Sequence, residues 1–235
     1  MAHDRKAAIA VAADEDVPDA TISKARVEAF SDGVIAVAIT ILALDLHVPD
    51  PAGHGSLLDH LGDQWPSYAA YVVSFLTIGI IWINHHAMLR RLVRVDHTIM
   101  VLNVVLLLTI GLLPFSTALM AQYLRASQGQ NVAAVVYGGS FLVLSIVFFT
   151  MQRHLLIAKQ HLLQSYLTAE VRRSVLRRNA FGLLPYTVAT LGGILTPYLT
   201  LAICAVLAVF YGLPTTTSDL RATRTRQAEA AGGRS

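Results

Sequence analysis

Three apolar stretches of this sequence carry polar and ionisable side chains at their ends. These side chains are the candidates for a chemical role. The first stretch begins with a cation, an aromatic ring, a hydroxyl and a carboxylate: Arg26, Phe30, Ser31 and Asp32. The second ends and the third begins with amides, imidazoles and an acid: Asn84, His85, His86, Asp96, His97 and Asn103. Such groups are costly in a bilayer unless they are paired or hydrated. They predict hydrogen bonds that hold helices together, which is the more ordinary outcome, or a path for protons.

The adjacent histidines His85 and His86 do not predict a metal site. Neighbouring residues on a helix point about 100° apart, so the two rings seldom reach one ion. A di-iron site in a helical bundle needs several histidine or carboxylate pairs three or four residues apart, and the sequence has no such set. The lone cysteine, Cys204, excludes a disulfide framework and a thiolate cluster. We therefore predict no metal and no cofactor.

The elements that must position these side chains are membrane-spanning helices. Apolar residues make up 54% of the chain and charged residues 14%, against about 25% charged in a soluble domain, and the mean hydropathy is +0.55. A span needs about 20 apolar residues. Four stretches qualify, 25–46, 65–84, 97–121 and 132–151. A fifth block, 179–212, holds Gly-Gly-Ile-Leu-Thr-Pro at 192–197, which predicts two short helices joined by a hairpin and six spans in all.

The distribution of basic residues predicts the orientation of these spans. Of the 18 Lys and Arg residues, Arg125 alone falls outside when both termini are placed in the cytoplasm. An even number of spans follows, and we expect the chain in the cell inner (plasma) membrane. The basic residues are spread over four inner segments, so the isoelectric point near 9.2 does not predict nucleic-acid binding. We expect disordered cytoplasmic segments at 1–20 and 214–235, a membrane domain over 21–213, and an inner helix over 159–179 along the lipid headgroups.

Helical phase separates the first stretch into two faces. Four residues share one face, within an arc of about 100° around the helix: Val37, Thr40, Ile41 and Leu44. Ser31 and Asp32 point away from that face. By phase alone, such a stripe is ordinary lipid-facing or helix-packing surface.

The first stretch also carries a family resemblance. The pattern Arg-x-x-x-Phe-Ser-Asp at 26–32 resembles the signature of the transmembrane protein 175 family of potassium channels. The segments SFLTIGIIWINHH and LNVVLLLTIGLLPFSTALM on the second and third stretches are similar to that family as well. The resemblance covers roughly residues 22–213, and the chain looks like the prokaryotic members.

The resemblance implies an all-α channel fold of six transmembrane helices in a single repeat, with no catalysis. Four copies of the chain would assemble as a homotetramer in the bilayer, with the first helix lining a pore for monovalent cations, potassium above sodium. Matched by spacing from Asp32, Val37, Ile41 and Leu44 form the apolar constriction, and Thr40 supplies a hydroxyl near it. Asp45 would raise the cation concentration at the outer mouth.

Two other classes of function stay open on the sequence. A proton-permeable channel or proton-coupled carrier would use Asp32 with the inner-end histidines, His85 and His86. A membrane enzyme or an assembly protein would transport nothing.

Overall fold

The computed structural model describes residues 23–50, 55–158 and 169–212, and in this part of the chain the regular structure is helical. The helices are α1 Lys24–Leu44, α2 Leu57–Asp63, α3 Trp65–Arg90, α4 His97–Gly111, α5 Leu113–Tyr123, α6 Gln130–Arg153, α7 Ala169–Leu195 and α8 Pro197–Gly212. A π-helical turn, His154–Ala158, continues α6. The predicted all-α class is confirmed. The predicted disordered segments, 1–20 and 214–235, lie outside the described residues.

Four helical segments are long and apolar enough to cross a membrane, by length and composition. They are Lys24–Leu44, Trp65–Arg90, His97–Tyr123 and Gln130–Ala158. The third consists of α4 and α5, which meet at Leu112 with Pro114 in the first turn of α5. Proline is tolerated in that turn because its missing N–H needs no partner there. Helix α8 is a shorter apolar helix. The count of six spans therefore stays a prediction.

The fifth apolar block consists of two helices that pack against each other, as the sequence predicts. Helix α7 ends at Leu195 and α8 begins at Pro197, because a residue before proline disfavours the helical conformation. The hydroxyl of Thr200 donates to the Ala189 carbonyl at 2.8 Å across the hairpin. Gly193 lies inside α7 and is not part of the break.

The predicted inner helix over 159–179 is wrong for the residues that the structure describes, 169–179. Residues 169–179 do not form a separate helix along the headgroups, since they are the first turns of α7, which continues to Leu195. The helix formers of this segment run into the apolar block without a stop signal. Pro185, inside α7, removes one backbone donor, and neighbouring groups in a bundle can compensate for that. Residues 159–168 lie outside the described part of the chain.

Small residues allow the second half of the bundle to pack closely. A Cβ placed on Gly138 of α6 would lie 3.0 Å from the Thr190 Cα of α7. On Gly193 it would lie 2.9 Å from the Thr200 hydroxyl and 3.0 Å from a backbone nitrogen of α6. Glycine at such contacts lets helix backbones approach each other in a membrane. The Asn131 amide donates to the Ile194 carbonyl at 2.7 Å and satisfies a backbone acceptor near the end of α7.

A buried cluster of hydroxyl groups connects three helices in the centre of the bundle. Ser74 of α3 lies 2.8 Å from the Thr117 hydroxyl of α5 and 3.0 Å from the Tyr137 hydroxyl of α6. All three residues are buried. Thr117 also donates to the Leu113 carbonyl at 2.8 Å. Every hydroxyl of the cluster therefore has a partner, as buried polar groups require.

The connection between α1 and α3 contains the short helix α2. Ser56 and Asp59 form a capping box at its start, with the Ser56 hydroxyl 2.7 Å from a carboxylate oxygen of Asp59. These hydrogen bonds lower the pKa of Asp59 below its usual value. Asp63 forms an exposed ion pair with Arg125 at 3.3 Å. Arg125, the basic residue predicted to lie outside, thus contacts the connection between α1 and α3.

Candidate functional site

One face of helix α1 is buried in the protomer and the opposite face is exposed. Its inward face consists of buried residues at helical spacing: Val27, Ser31, Ile35, Ala38 and Leu42. Through this face α1 packs on α3, α4 and α5. On the other side, Val37, Ile41 and Leu44 are 57%, 42% and 76% exposed. The described part of the chain thus leaves the predicted apolar stripe uncovered.

An open groove lies along the exposed face of α1. Seven of its lining residues belong to α1 and one to the end of α4: Ala29, Phe30, Gly33, Val34, Val37, Ala38, Ile41 and Gly111. Side chains of this kind offer no charge to a ligand. A contiguous apolar surface on one protomer needs cover by lipid or by another protein surface.

The hydroxyl of Thr40 is bound to its own helix. It donates to the Val37 carbonyl at 2.8 Å, and the residue is exposed. A hydroxyl has two acceptor lone pairs besides its donor. Thr40 can therefore offer an oxygen outward while its proton is satisfied by the backbone.

Ser31, His85 and Asn103 form one buried chain of hydrogen bonds. His85 Nε2 donates to Asn103 Oδ1 at 2.8 Å, Asn103 Nδ2 donates to the Ser31 hydroxyl at 2.9 Å, and Ser31 donates to the Val27 carbonyl at 2.8 Å. The three side chains belong to α3, α4 and α1 and are at most 1% exposed. A neutral amide donates and accepts but does not titrate. The geometry suits the joining of helices and does not suit a proton relay.

Asp32 points away from this chain, toward α3. Its carboxylate accepts a 2.7 Å hydrogen bond from the indole Nε1 of Trp82. The Trp82 ring stacks on His86, with 6.2 Å between the ring centroids. Phase analysis predicted that Ser31 and Asp32 differ in direction from the apolar stripe, but it missed Trp82 as a partner. The sequence feature that could have identified this partner is the indole donor of Trp82, one helical turn before His86.

The remaining predicted residues do not join either group. Asn84 donates to the Ile80 carbonyl of its own helix at 2.9 Å. Arg26 is exposed, and its side chain has no hydrogen bond or ion pair within the described residues. Asp45 is the C-cap of α1, where its carbonyl lies 2.9 Å from His47 Nδ1. Asp96 caps the start of α4 by accepting from the Ile99 N–H at 2.9 Å.

The start of α1 makes a contact that sequence reasoning did not identify. Lys24 Nζ donates to the Leu92 carbonyl at 3.3 Å, in the loop between α3 and α4. Lys24 also lies 3.8 Å from Glu28 on its own helix. No sequence signal pairs a lysine with a distant backbone carbonyl.

The described residues contain no group of three His, Cys, Asp or Glu side chains that could hold a metal ion. The side chains that come together around the N-terminal half of α1 are bound to one another or to the backbone. What this region offers is an apolar face on α1, with a polar network that attaches the back of α1 to α3 and α4.

Comparison with known proteins agrees with this architecture. The family model for the endosomal/lysosomal potassium channel TMEM175 matches residues 26–114. A protein of Streptomyces collinus named as a potassium channel is 44% identical over 187 residues, which are 80% of this chain and 90% of that protein. A chicken protein named as an endosomal/lysosomal proton channel, TMEM175, is 40% identical over 123 residues, 49% of this chain and 25% of that protein.

A solved structure shares the fold. The crystal structure of a lysosomal potassium-selective channel TMEM175 homolog from Chamaesiphon minutus aligns with a TM-score of 0.71 at 35% identity. The alignment covers 80% of this chain and 95% of that one. The resemblance seen in the sequence is confirmed. Because the chain covers nearly the whole of relatives well above 30% identity, it belongs to the TMEM175 family, a family of channels and not of enzymes.

Proposed function

We propose that the chain is a potassium-permeable cation channel in which four copies enclose the ion path with the exposed face of α1. The observation that carries this proposal is the one-sided burial of α1. Its inward face is buried against three helices, while Val37, Ile41 and Leu44 have no cover within the described protomer. The names of the bacterial relatives, a potassium channel and a potassium-selective channel, support potassium as the permeant ion.

Rings of apolar side chains control conduction through hydration of the path. Four copies of Ile41 around an axis form a collar from which water withdraws when the collar is narrow, and a slight widening readmits it. Sodium holds its water more strongly than potassium, so partial dehydration at the collar favours potassium. The outward lone pairs of Thr40 replace part of the lost hydration. This mechanism gives moderate selectivity, below that of a ring of backbone carbonyls.

The proposed topology has six crossings with both termini in the cytoplasm of a plasma membrane. The four long apolar segments supply four crossings, and the α7–α8 hairpin supplies two more. The pairing of Arg125 with Asp63 fits this topology, because both residues then lie outside. Asp45, where α1 ends, lies at the outer mouth and raises the local cation concentration.

Ion flux into liposomes tests the proposal directly. Purified protein is reconstituted, and potassium and sodium uptake are measured for the wild type and for Ile41→Asn. We expect the polar side chain to hydrate the collar, raise the potassium flux and lower the preference for potassium over sodium. Unchanged flux and selectivity in Ile41→Asn would remove Ile41 from the ion path.

A matched control separates a local effect from general damage. Ile146→Asn makes the same change at a residue of similar exposure, 45% against 42% for Ile41, on helix α6. Helix α1 packs mainly on α3, α4 and α5, so this variant should conduct like the wild type. Equal effects of the two substitutions would contradict a collar at α1.

Proton permeation is the second candidate. The observation that favours it is Asp32, an ionisable side chain next to Gly33 of the groove and half-buried against Trp82. The name of the chicken relative, a proton channel, points the same way. Reversal potentials under opposed potassium and proton gradients distinguish the two ions, since the potential follows the gradient of the more permeant one.

A further inference from the structure

Helix α7 carries a basic group and an apolar stripe on the same face. From Arg173 onward, residues follow at steps of four or three: Arg173, Arg177, Phe181, Leu184, Val188 and Leu191. Steps of this kind keep side chains on one side of a helix. Relative to Arg177, all of these residues lie within about 40° around the axis. The helix is continuous over this length.

The side chains of this face are exposed in the described part of the chain. Phe181, Leu184 and Leu191 are 70%, 63% and 58% exposed. Arg173 and Arg177 are exposed too, and in the part of the chain that is described neither has a hydrogen bond or an ion pair. Together with Glu170 and Ser174 they line an open surface depression. Two cations and one acid leave this depression positively charged.

We propose that this face binds an anionic phospholipid, with the phosphate held by Arg173 and Arg177 and one acyl chain along Phe181, Leu184 and Val188. Guanidinium groups suit phosphate oxygens because their N–H donors form a planar fork. The hydroxyl of Ser174 offers a further donor. Glu170, one turn further from the apolar stripe, repels the phosphate and keeps it between the two arginines.

The distance along the helix from the arginines to Val188 fits the length of a lipid in one leaflet. From Arg177 to Val188 the helix rises about 16 Å at about 1.5 Å per residue. Half of the bilayer's hydrocarbon core is about 15 Å. A phosphate at the arginines therefore sets its acyl chain beside the whole first part of the stripe. A soluble phosphate would use the arginines and leave the stripe unexplained. The proposal requires a membrane-embedded chain and does not rest on ion conduction.

Native mass spectrometry of the full-length protein in detergent tests this site. The protein is incubated with equal amounts of phosphatidylglycerol and phosphatidylcholine that have identical acyl chains, and the ratio of bound lipids is measured. A basic residue at the membrane surface changes the affinity for an anionic lipid about fivefold. The double variant Arg173→Gln/Arg177→Gln should therefore lower the ratio about 25-fold. Glu170→Gln should raise it.

The control variant removes two basic side chains that lie outside the proposed lipid site. Arg172 points about 140° away from Arg177, and Arg94 lies in the loop between α3 and α4. Arg172→Gln/Arg94→Gln should stay within about twofold of the wild type if the face is specific. Equal losses in both double variants, or no preference for phosphatidylglycerol in the wild type, would overturn the proposal. Displacement of the lipid by millimolar glycerol phosphate would also overturn it, since a bare phosphate would then suffice.

Discussion

Replacing Asn103 by alanine removes the amide that connects α1, α3 and α4. In the wild type, Asn103 accepts from His85 at 2.8 Å and donates to Ser31 at 2.9 Å. All three residues are buried, so no water can replace the lost amide at once. The substitution leaves the His85 donor without a partner and deprives the Ser31 oxygen of its donor.

The magnitude follows from these two lost contacts. A buried donor left without a partner costs about 1–3 kcal/mol. A hydrogen bond between membrane helices contributes about 0.6 kcal/mol on average. The unpaired His85 donor accounts for the larger part of the loss. We therefore expect Asn103→Ala to lower the free energy of unfolding by about 2–3 kcal/mol. For a chain of this size, 1 kcal/mol shifts the unfolding temperature by about 2–4 °C, so the shift should be about 4–12 °C.

Thermal unfolding of the purified protein in detergent measures this shift, with Asn84→Ala as the control. Asn84 carries the same amide, but it donates to a carbonyl of its own helix, and its removal leaves no buried group without a partner. The control should move by less than about 3 °C. If both variants shift equally, or if Asn103→Ala shifts by less than about 2 °C, the network does not hold the three helices together.

Three further changes test other parts of the fold. Gly193→Val should prevent stable folding, because even a Cβ at this position would approach the backbone of α6, whereas Gly79→Ala, with open space around the added carbon, should leave the unfolding temperature unchanged or slightly raised. Ser74→Ala should lower the free energy of unfolding by about 1–3 kcal/mol, measured by the same thermal assay, because two buried hydroxyls lose a partner. Ser56→Ala should raise the lowered pKa of Asp59 toward its usual value, measured by carboxyl NMR. Because the pKa is lowered in the fold, the capping contribution of this pair is present above the usual carboxyl pKa and is lost as the pH falls through the lowered pKa.

The sequence was sufficient for those features that depend on local composition and spacing. Apolar length located the starts of the four long segments to within two residues, since a bilayer demands about 20 apolar residues from any span. The ends differ by two to seven residues, because a helix can continue beyond its apolar part. Proline after a glycine-rich segment located the α7–α8 break, because the conformation of the residue before proline is restricted locally. Helical phase separated Ser31 and Asp32 from the apolar stripe of α1, since side-chain direction follows from residue number once a helix is assumed.

Only the tertiary structure decided which side chains meet. Six polar residues on the second and third stretches were equally plausible partners of Ser31 and Asp32, yet His85 and Asn103 connect to Ser31 while Asp32 accepts from Trp82. The rotation of each helix about its own axis selects these pairs, and that rotation is set by the packing of whole faces. The same holds for Gly193, whose close approach to α6 depends on a distant helix. Local sequence determines which residues form a helix and which of them share a face. Contact across helices depends on how all the faces pack together.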